Sequence, residues 1–237
     1  SASAHDFTPQ KAKARSRGSL IEISHNTKTD LCAPGISPDR QMLRMDTIPS
    51  PSHTDLLSSA LEYAKVPFSL VVISLKCTEQ NENGEPFRRD LREAKRVCKQ
   101  VHTHGGWIAF ELPSASLLWQ LEEVQDLCHR YKLRKAHLDT GTFGAVHSDG
   151  CPVEHHLTFA TNCDELYEKL HGRERDDGLD DARPPLTPHE RVYPFALSAA
   201  IHGGLTRARR TAITGTRVTP DRAAVACHSA ELRSFIG

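Results

Sequence analysis

The chain has 237 residues, with 30 basic and 30 acidic side chains, 38% hydrophobic residues and seven cysteines. This balance excludes a global field that would drive nucleic-acid or membrane association, and no apolar run approaches the ~18 residues that span a bilayer. Scattered single cysteines with no CxxC pair argue against a disulfide scaffold and imply reduced thiols in an intracellular compartment. The length suits one large α/β domain with a sizeable core.

In chain order, residues 1–18 are polar, basic and rich in small residues, and read as a flexible segment. Ser19–Ser24 (SLIEIS) is the first strand candidate, with Glu22 near its end, and Gln41–Asp46 (QMLRMD) is a second, ending in an acid. A helix opens at Thr54 or Asp55 and turns Leu56, Leu57, Leu61 and Ala64 inward. Phe68–Ser74 is a β-branched apolar run, the pattern of a strand buried on both faces. Pro86–Val101 carries Phe87, Leu91, Ala94, Val97, Cys98 and Val101 at helical spacing, and Gly105-Gly106 stops it.

Trp107–Leu112 (WIAFEL) is the next buried strand. Ser114 is the expected cap of a helix with Leu117, Leu118, Leu121, Val124, Leu127, Cys128 and Tyr131 on its apolar face. Two strands separated by a helix make a β-α-β unit, hence a parallel sheet with a right-handed crossover. Lys135–Asp139 and Leu157–Thr161 are strands flanking a turn at His147–Pro152, and so antiparallel neighbours. Asn162 or Asp164 caps a short helix through Leu170. Residues 172–189 read as an exposed loop, Val192–Gly204 as an apolar helix with a glycine stop, and 206–237 as a basic extension. The expected architecture over 19–205 is a Rossmann-like, mostly parallel sheet with helices on both faces and a terminal antiparallel hairpin.

Cys77 and Glu111 then lie just past the carboxyl ends of two parallel strands, where open α/β sheets build their sites. The segments that carry a family resemblance are Val71–Cys77 (VVISLKC), Gly106–Trp119 (GWIAFELPSASLLW), Asp139–Gly144 (DTGTFG), Phe159–Asn162 (FATN) and Tyr193-Pro194. Their order resembles class I S-adenosylmethionine-dependent methyltransferases, and more narrowly the cytosine-5 DNA methyltransferase-like domains of phage proteins and retrotransposon-type polyproteins. The resemblance implies that Cys77 is the nucleophile adding to a pyrimidine ring and that Glu111 contacts the target base. It also implies that Glu22 and Asp46 hold the cofactor S-adenosylmethionine.

The chain departs from that pattern at three places. Leu75-Lys76 stands where the family has two prolines, Leu112 replaces an Asn or His, and no glycine follows Glu22 before Gly35. A cofactor loop needs glycine so that backbone can approach the ligand. The expectation is therefore a degenerate methyltransferase-like domain, without methyl transfer, serving as a binding or structural component of a larger assembly with protein partners. An active cytosine-5 methyltransferase on DNA or RNA is the alternative, with Lys76, Arg88 and Arg89 lowering the pKa of the Cys77 thiol.

Arg88, Arg89, Arg207, Arg209 and Arg210 are candidate phosphate contacts for nucleic acid. His147, Cys151, His155, His156 and Cys163 form a Cys/His cluster that would suit a zinc-stabilised nucleic-acid-binding module. Its spacing matches no standard finger, so no metal is expected. Trp119 reads as packing, and Asp139 and Asn162 as turn or cap residues.

Overall fold

The computed structural model describes residues 18–24, 31, 41–46, 53–75, 85–145, 155–172 and 193–215. Its strands are β1 (Ser19–Ser24), β2 (Gln41–Asp46), β3 (Leu70–Ser74), β4 (Trp107–Pro113), β5 (Arg134–Asp139) and β6 (His156–Thr161). Its helices are α1 (His53–Ala64), α2 (Glu85–Thr103), α3 (Glu122–Arg130), α4 (Asp164–Leu170) and α5 (Phe195–Thr214). The strands form one sheet in the order β2-β1-β3-β4-β6-β5. β2, β1, β3 and β4 run parallel, whereas β6 is antiparallel to both of its neighbours, β4 and β5. The chain is thus an α/β fold with a mixed sheet, and its last two strands are the expected antiparallel pair.

Strand alternation sorts the side chains onto two faces. Ile21, Ile23, Val71, Ile73, Ile108 and Phe110 pack beneath α1, α2 and α3. Leu20, Leu70, Val72, Ala109, Leu157 and Phe159 pack beneath α4 and α5. The central strands are covered on both sides, which is why they read as unbroken apolar runs.

The turn from α2 into β4 is set by two glycines with different tasks. Gly105, at φ +71, adopts the left-handed conformation, and its N–H reaches His102 O at 3.1 Å. The N–H of Gly106 reaches Val101 O at 2.9 Å, which completes a Schellman cap. A Cβ on Gly106 would stand 2.4 Å from Ser69 O and 2.7 Å from Val101 Cγ1, whereas one on Gly105 would meet nothing.

Several boundaries differ from those expected of the sequence, each for an identifiable reason. β3 starts at Leu70 rather than Phe68, because Phe68 turns the chain at φ 60. The expected single helix after β4 is a 3-10 turn (Leu117–Gln120) followed by α3. The cap of that turn is Ser116, whose Oγ accepts from Leu118 N, and Leu117 faces solvent. Asn162 caps no helix; its Oδ1 accepts from Ile108 N at 2.8 Å and pins β4.

The largest correction concerns α5. Gly203-Gly204 does not stop it, and the helix runs through the 206 boundary to Thr214, ending at Gly215 with φ +65. A Cβ on Gly204 would stand 3.0 Å from Leu166 Cα, so this glycine lets α5 approach α4. The turn expected at His147–Pro152, most of the 172–189 loop, and the segments 1–17 and 216–237 lie outside the described residues.

Gly105→Ala is expected to cost about 1–2 kcal/mol through its left-handed φ. Gly106→Ala, which drives a methyl into backbone, is expected to cost about 3 kcal/mol. Urea unfolding midpoints of the two variants check this order, and equal losses would contradict the cap geometry.

Candidate functional site

The carboxyl ends of β1, β3 and β4 carry a polar centre on the α5 side of the sheet. Glu22, Ser74 and Glu111 share the strand parity of Leu20, Val72 and Ala109, which places them on that face. Ser74 lies directly opposite Glu111 across the β3–β4 pair. Glu22 is fully buried and Glu111 nearly so. Two carboxylates in an otherwise apolar layer carry a large desolvation cost unless polar partners meet them.

Tyr193, two residues before α5, is one such partner. Its hydroxyl donates to Glu111 Oε2 at 2.9 Å. The phenol ring packs beside Phe159 with centroids 6.0 Å apart. Burial, and then the negative charge of Glu111 and Glu22, push the Tyr193 hydroxyl well above its ordinary pKa. It therefore stays protonated and serves as a donor through the whole physiological range. Pro194 follows as the N-cap residue of α5, with φ −56, and Ser198 N closes the first turn on Pro194 O at 3.0 Å. Ile201 and Leu205 then hold the helix on the sheet, while His202 bonds Leu31 O at 2.7 Å.

Magnitudes decide what this arrangement does to Glu111. Breaking a hydrogen bond to a charged group costs about 1.5–3 kcal/mol, a penalty a ligand could offset. Moving the ring out of its packing is dearer. A buried tyrosine covers roughly 150 Å² or more, so its exposure costs about 4 kcal/mol. Together these make a state with Tyr193 withdrawn roughly ten-thousand- to hundred-thousand-fold rarer than the packed one. Tyr193 is held beside Glu111 mainly by packing, and the hydrogen bond fixes its direction.

The other expected site residues are distributed as follows. Cys77 lies outside the described residues, which resume at Glu85 after Leu75. Asp46 ends β2 opposite Ser24 of β1, so its backbone reaches the same end of the sheet as Glu22. Arg88 is held by Glu123 of α3, and Arg89 by the buried Asp90 at 3.2 Å. Both are tied into the fold rather than standing as a free basic patch. Arg207 and Arg209 are half-buried on α5 and only Arg210 of the three is exposed, because the segment read as a tail is a packed helix.

Within the Cys/His cluster, Cys163 sits in the core under α4, with burial pushing its thiol up to about 12. His147 and Cys151 lie outside the described residues, and no three His, Cys, Asp or Glu side chains meet among those described. Trp119 packs edge-on against Phe110, with centroids 5.7 Å apart, as a core residue. Asp139 Oδ1 accepts from Gly141 N at 2.9 Å, the expected turn role.

Two arrangements escaped the sequence reading. Tyr193 stood out only as part of a motif, because nothing in the sequence shows that residues 82 apart share a hydrogen bond. The signal was a Tyr-Pro pair opening an apolar helix, together with acids at matching parity in two apolar strands. The second is a Ser114–Thr158–His137 chain of side chains on the opposite face of the sheet. Compared with known proteins, the chain matches no family model, no curated protein and no solved structure.

Tyr193→Phe removes the donor and leaves Glu111 buried, an expected loss of about 2 kcal/mol at neutral pH. The sign in alkali follows from linkage. The folded pKa is raised, so unfolded chains lose this proton first, and stability falls as pH climbs through the ordinary value of about 10. The phenylalanine variant lacks that part of the alkaline loss. Denaturant midpoints from pH 7 to 11 test both points; parallel curves for the two proteins would contradict the buried, protonated phenol.

Proposed function

We propose that this chain is a methyltransferase-like, Rossmann-type α/β domain that no longer transfers methyl groups and acts as a binding or structural component of a larger assembly. The strand order supports the class. Parallel β2-β1-β3-β4 reverses its strand order between β1 and β3, and an open α/β sheet takes its ligand past the carboxyl ends of the strands at such a switch point. The observation that carries the loss of activity is the Tyr193–Glu111 hydrogen bond at 2.9 Å within a buried layer. In this reading Glu111 is the carboxylate that would have met a target base, and the phenol now fills that role.

Sequence departures point the same way. The stretch after Glu22 has no glycine before Gly35, and Leu75-Lys76 precedes Cys77 in place of a rigid proline pair. Glu22 is buried at the place where a cofactor acid would stand, within electrostatic reach of Tyr193. The residues present therefore fit S-adenosylmethionine poorly. Free, buried Cys98 and Cys163 suit a reducing intracellular setting. Among the described residues no helix is long and apolar enough to cross a membrane.

Incubation with tritiated S-adenosylmethionine and cytosine-containing DNA or RNA tests this reading. The expected result is no incorporation above that of Cys77→Ser. Incorporation abolished by Cys77→Ser, with the variant still folded, would establish the active-enzyme alternative instead.

A further inference from the structure

The sheet face opposite Tyr193 carries a second polar site. At the carboxyl end of β4 the chain turns through Ser114 and Ser116 into the 3-10 turn, and this turn overhangs the outer strands β6 and β5. Between them lies a cavity of about 200 Å³, walled by Ser114, Ser116, Gln120, Lys135, His137 and Thr158, with Trp119 at its side. Thr158 and His137 lie directly opposite each other in the β5–β6 register, so both side chains leave the sheet on one face. Lys135, two residues earlier on β5, emerges on that face as well.

The site is internally organised. Thr158 Oγ1 sits 2.9 Å from Ser114 Oγ and 2.8 Å from His137 Nδ1, which makes a three-membered hydrogen-bonded chain. Ser116 Oγ accepts from Leu118 N at 3.2 Å, which orients the hydroxyl and leaves its proton to donate. The Lys135 ammonium lies 4.5 Å from the centroid of the Trp119 ring. Trp119 is itself fixed by Nε1 donating to Pro113 O at 3.1 Å and by its packing on Phe110. A cation–π contact of this kind holds a flexible lysine at the cavity wall.

Hydrogen-bond bookkeeping then gives the ligand class. When His137 Nδ1 accepts from Thr158, Ser114 donates into the chain and His137 Nε2–H is the outward donor. When Nδ1–H donates to Thr158, the chain reverses and the Ser114 hydroxyl becomes an outward donor. With both ring nitrogens protonated, both ends donate at once. The chain therefore offers donors in every state, and Ser116, Gln120 and Lys135 add more. Among the described residues the cavity lining contains no Asp or Glu. Donors that line one cavity together with an ammonium, with no carboxylate among the described wall residues, select an oxyanion with several acceptor oxygens. The volume lies below the ~300–1,000 Å³ of whole-ligand clefts, so the site suits one compact group rather than an entire nucleoside.

The geometry points to a phosphate-binding site formed by Ser114, Ser116, Lys135, His137 and Thr158, taking a phosphate group either as a free or monoester ligand or as a diester of a nucleic-acid backbone. This goes beyond the methyltransferase-like reading and does not depend on it, because the site lies across the sheet from Tyr193 and needs no cofactor.

The test is a two-dimensional NMR titration of the full chain with inorganic phosphate, against sodium chloride at matched ionic strength. Phosphate is expected to shift the Ser114–Gln120 amides and the His137 ring resonances, while chloride does not. Lys135→Ala and His137→Gln, each shown by circular dichroism to be folded, are expected to weaken binding by about tenfold or more, the loss of one charge-assisted hydrogen bond. Thymidine monophosphate and a thymidine dodecanucleotide then identify the source. Tighter binding of the dodecanucleotide with a steep salt dependence assigns a backbone diester, and tighter binding of the mononucleotide assigns a monoester. No phosphate-specific shift, shifts confined to residues elsewhere, or variants that bind as wild type would each overturn the site.

Discussion

The hydrogen bond from Tyr193 to Glu111 ties the entry of α5 to the end of a central strand, across 82 residues of sequence. Its physical basis is the cost of burying a carboxylate. Glu111 occupies a sheet face otherwise filled by Val72, Ala109 and Phe159, where an unmet charge would cost several kcal/mol. The phenol meets it with a hydrogen bond of 2.9 Å. Once Tyr193 is placed, Pro194 sets the helix start, and Leu197, Ile201 and Leu205 follow onto the sheet. The long helix that covers one whole face is thereby registered by a polar contact at its beginning.

The same contact bears on the proposed function. A carboxylate at the end of a parallel strand is well placed to receive a ligand, and here that carboxylate is bonded to a buried phenol packed beside Phe159. On the other face the Ser114–Thr158–His137 chain and Lys135 line a cavity with no acid among its described residues. Arg88, Arg89, Arg207 and Arg209 contribute less to any surface charge than their number suggests, since their environments draw them into ion pairs or packed helix.

Much of the fold was legible in the sequence because its signals are local. Ser19–Ser24 and Gln41–Asp46 have the bounds that apolar patterning gives, and the α2–β4 turn follows from the two glycines at 105 and 106. The failures at Gly203-Gly204, Asn162 and Ser114 share one cause, which is that a residue's local meaning is overridden by a distant neighbour. Gly203-Gly204 signals a helix stop, yet Leu166 on α4 requires the missing side chain at 204. Asn162 signals a cap, yet the Ile108 amide on β4 claims its oxygen. Ser114 signals a helix start, yet Thr158 engages its hydroxyl while Ser116 does the capping. The candidate site was half legible for the same reason. Glu22 and Glu111 are conspicuous in apolar strands, whereas Tyr193 and His137 acquire their roles only through tertiary pairing.

We propose that Tyr193 closes the end of the sheet where a methyltransferase would hold its ligands. Calorimetric titration of S-adenosylhomocysteine into the folded, purified chain tests it most directly. The closed site predicts no heat of binding at millimolar ligand. Micromolar binding with one-to-one stoichiometry would show that the site admits the cofactor despite Tyr193, and would contradict the claim.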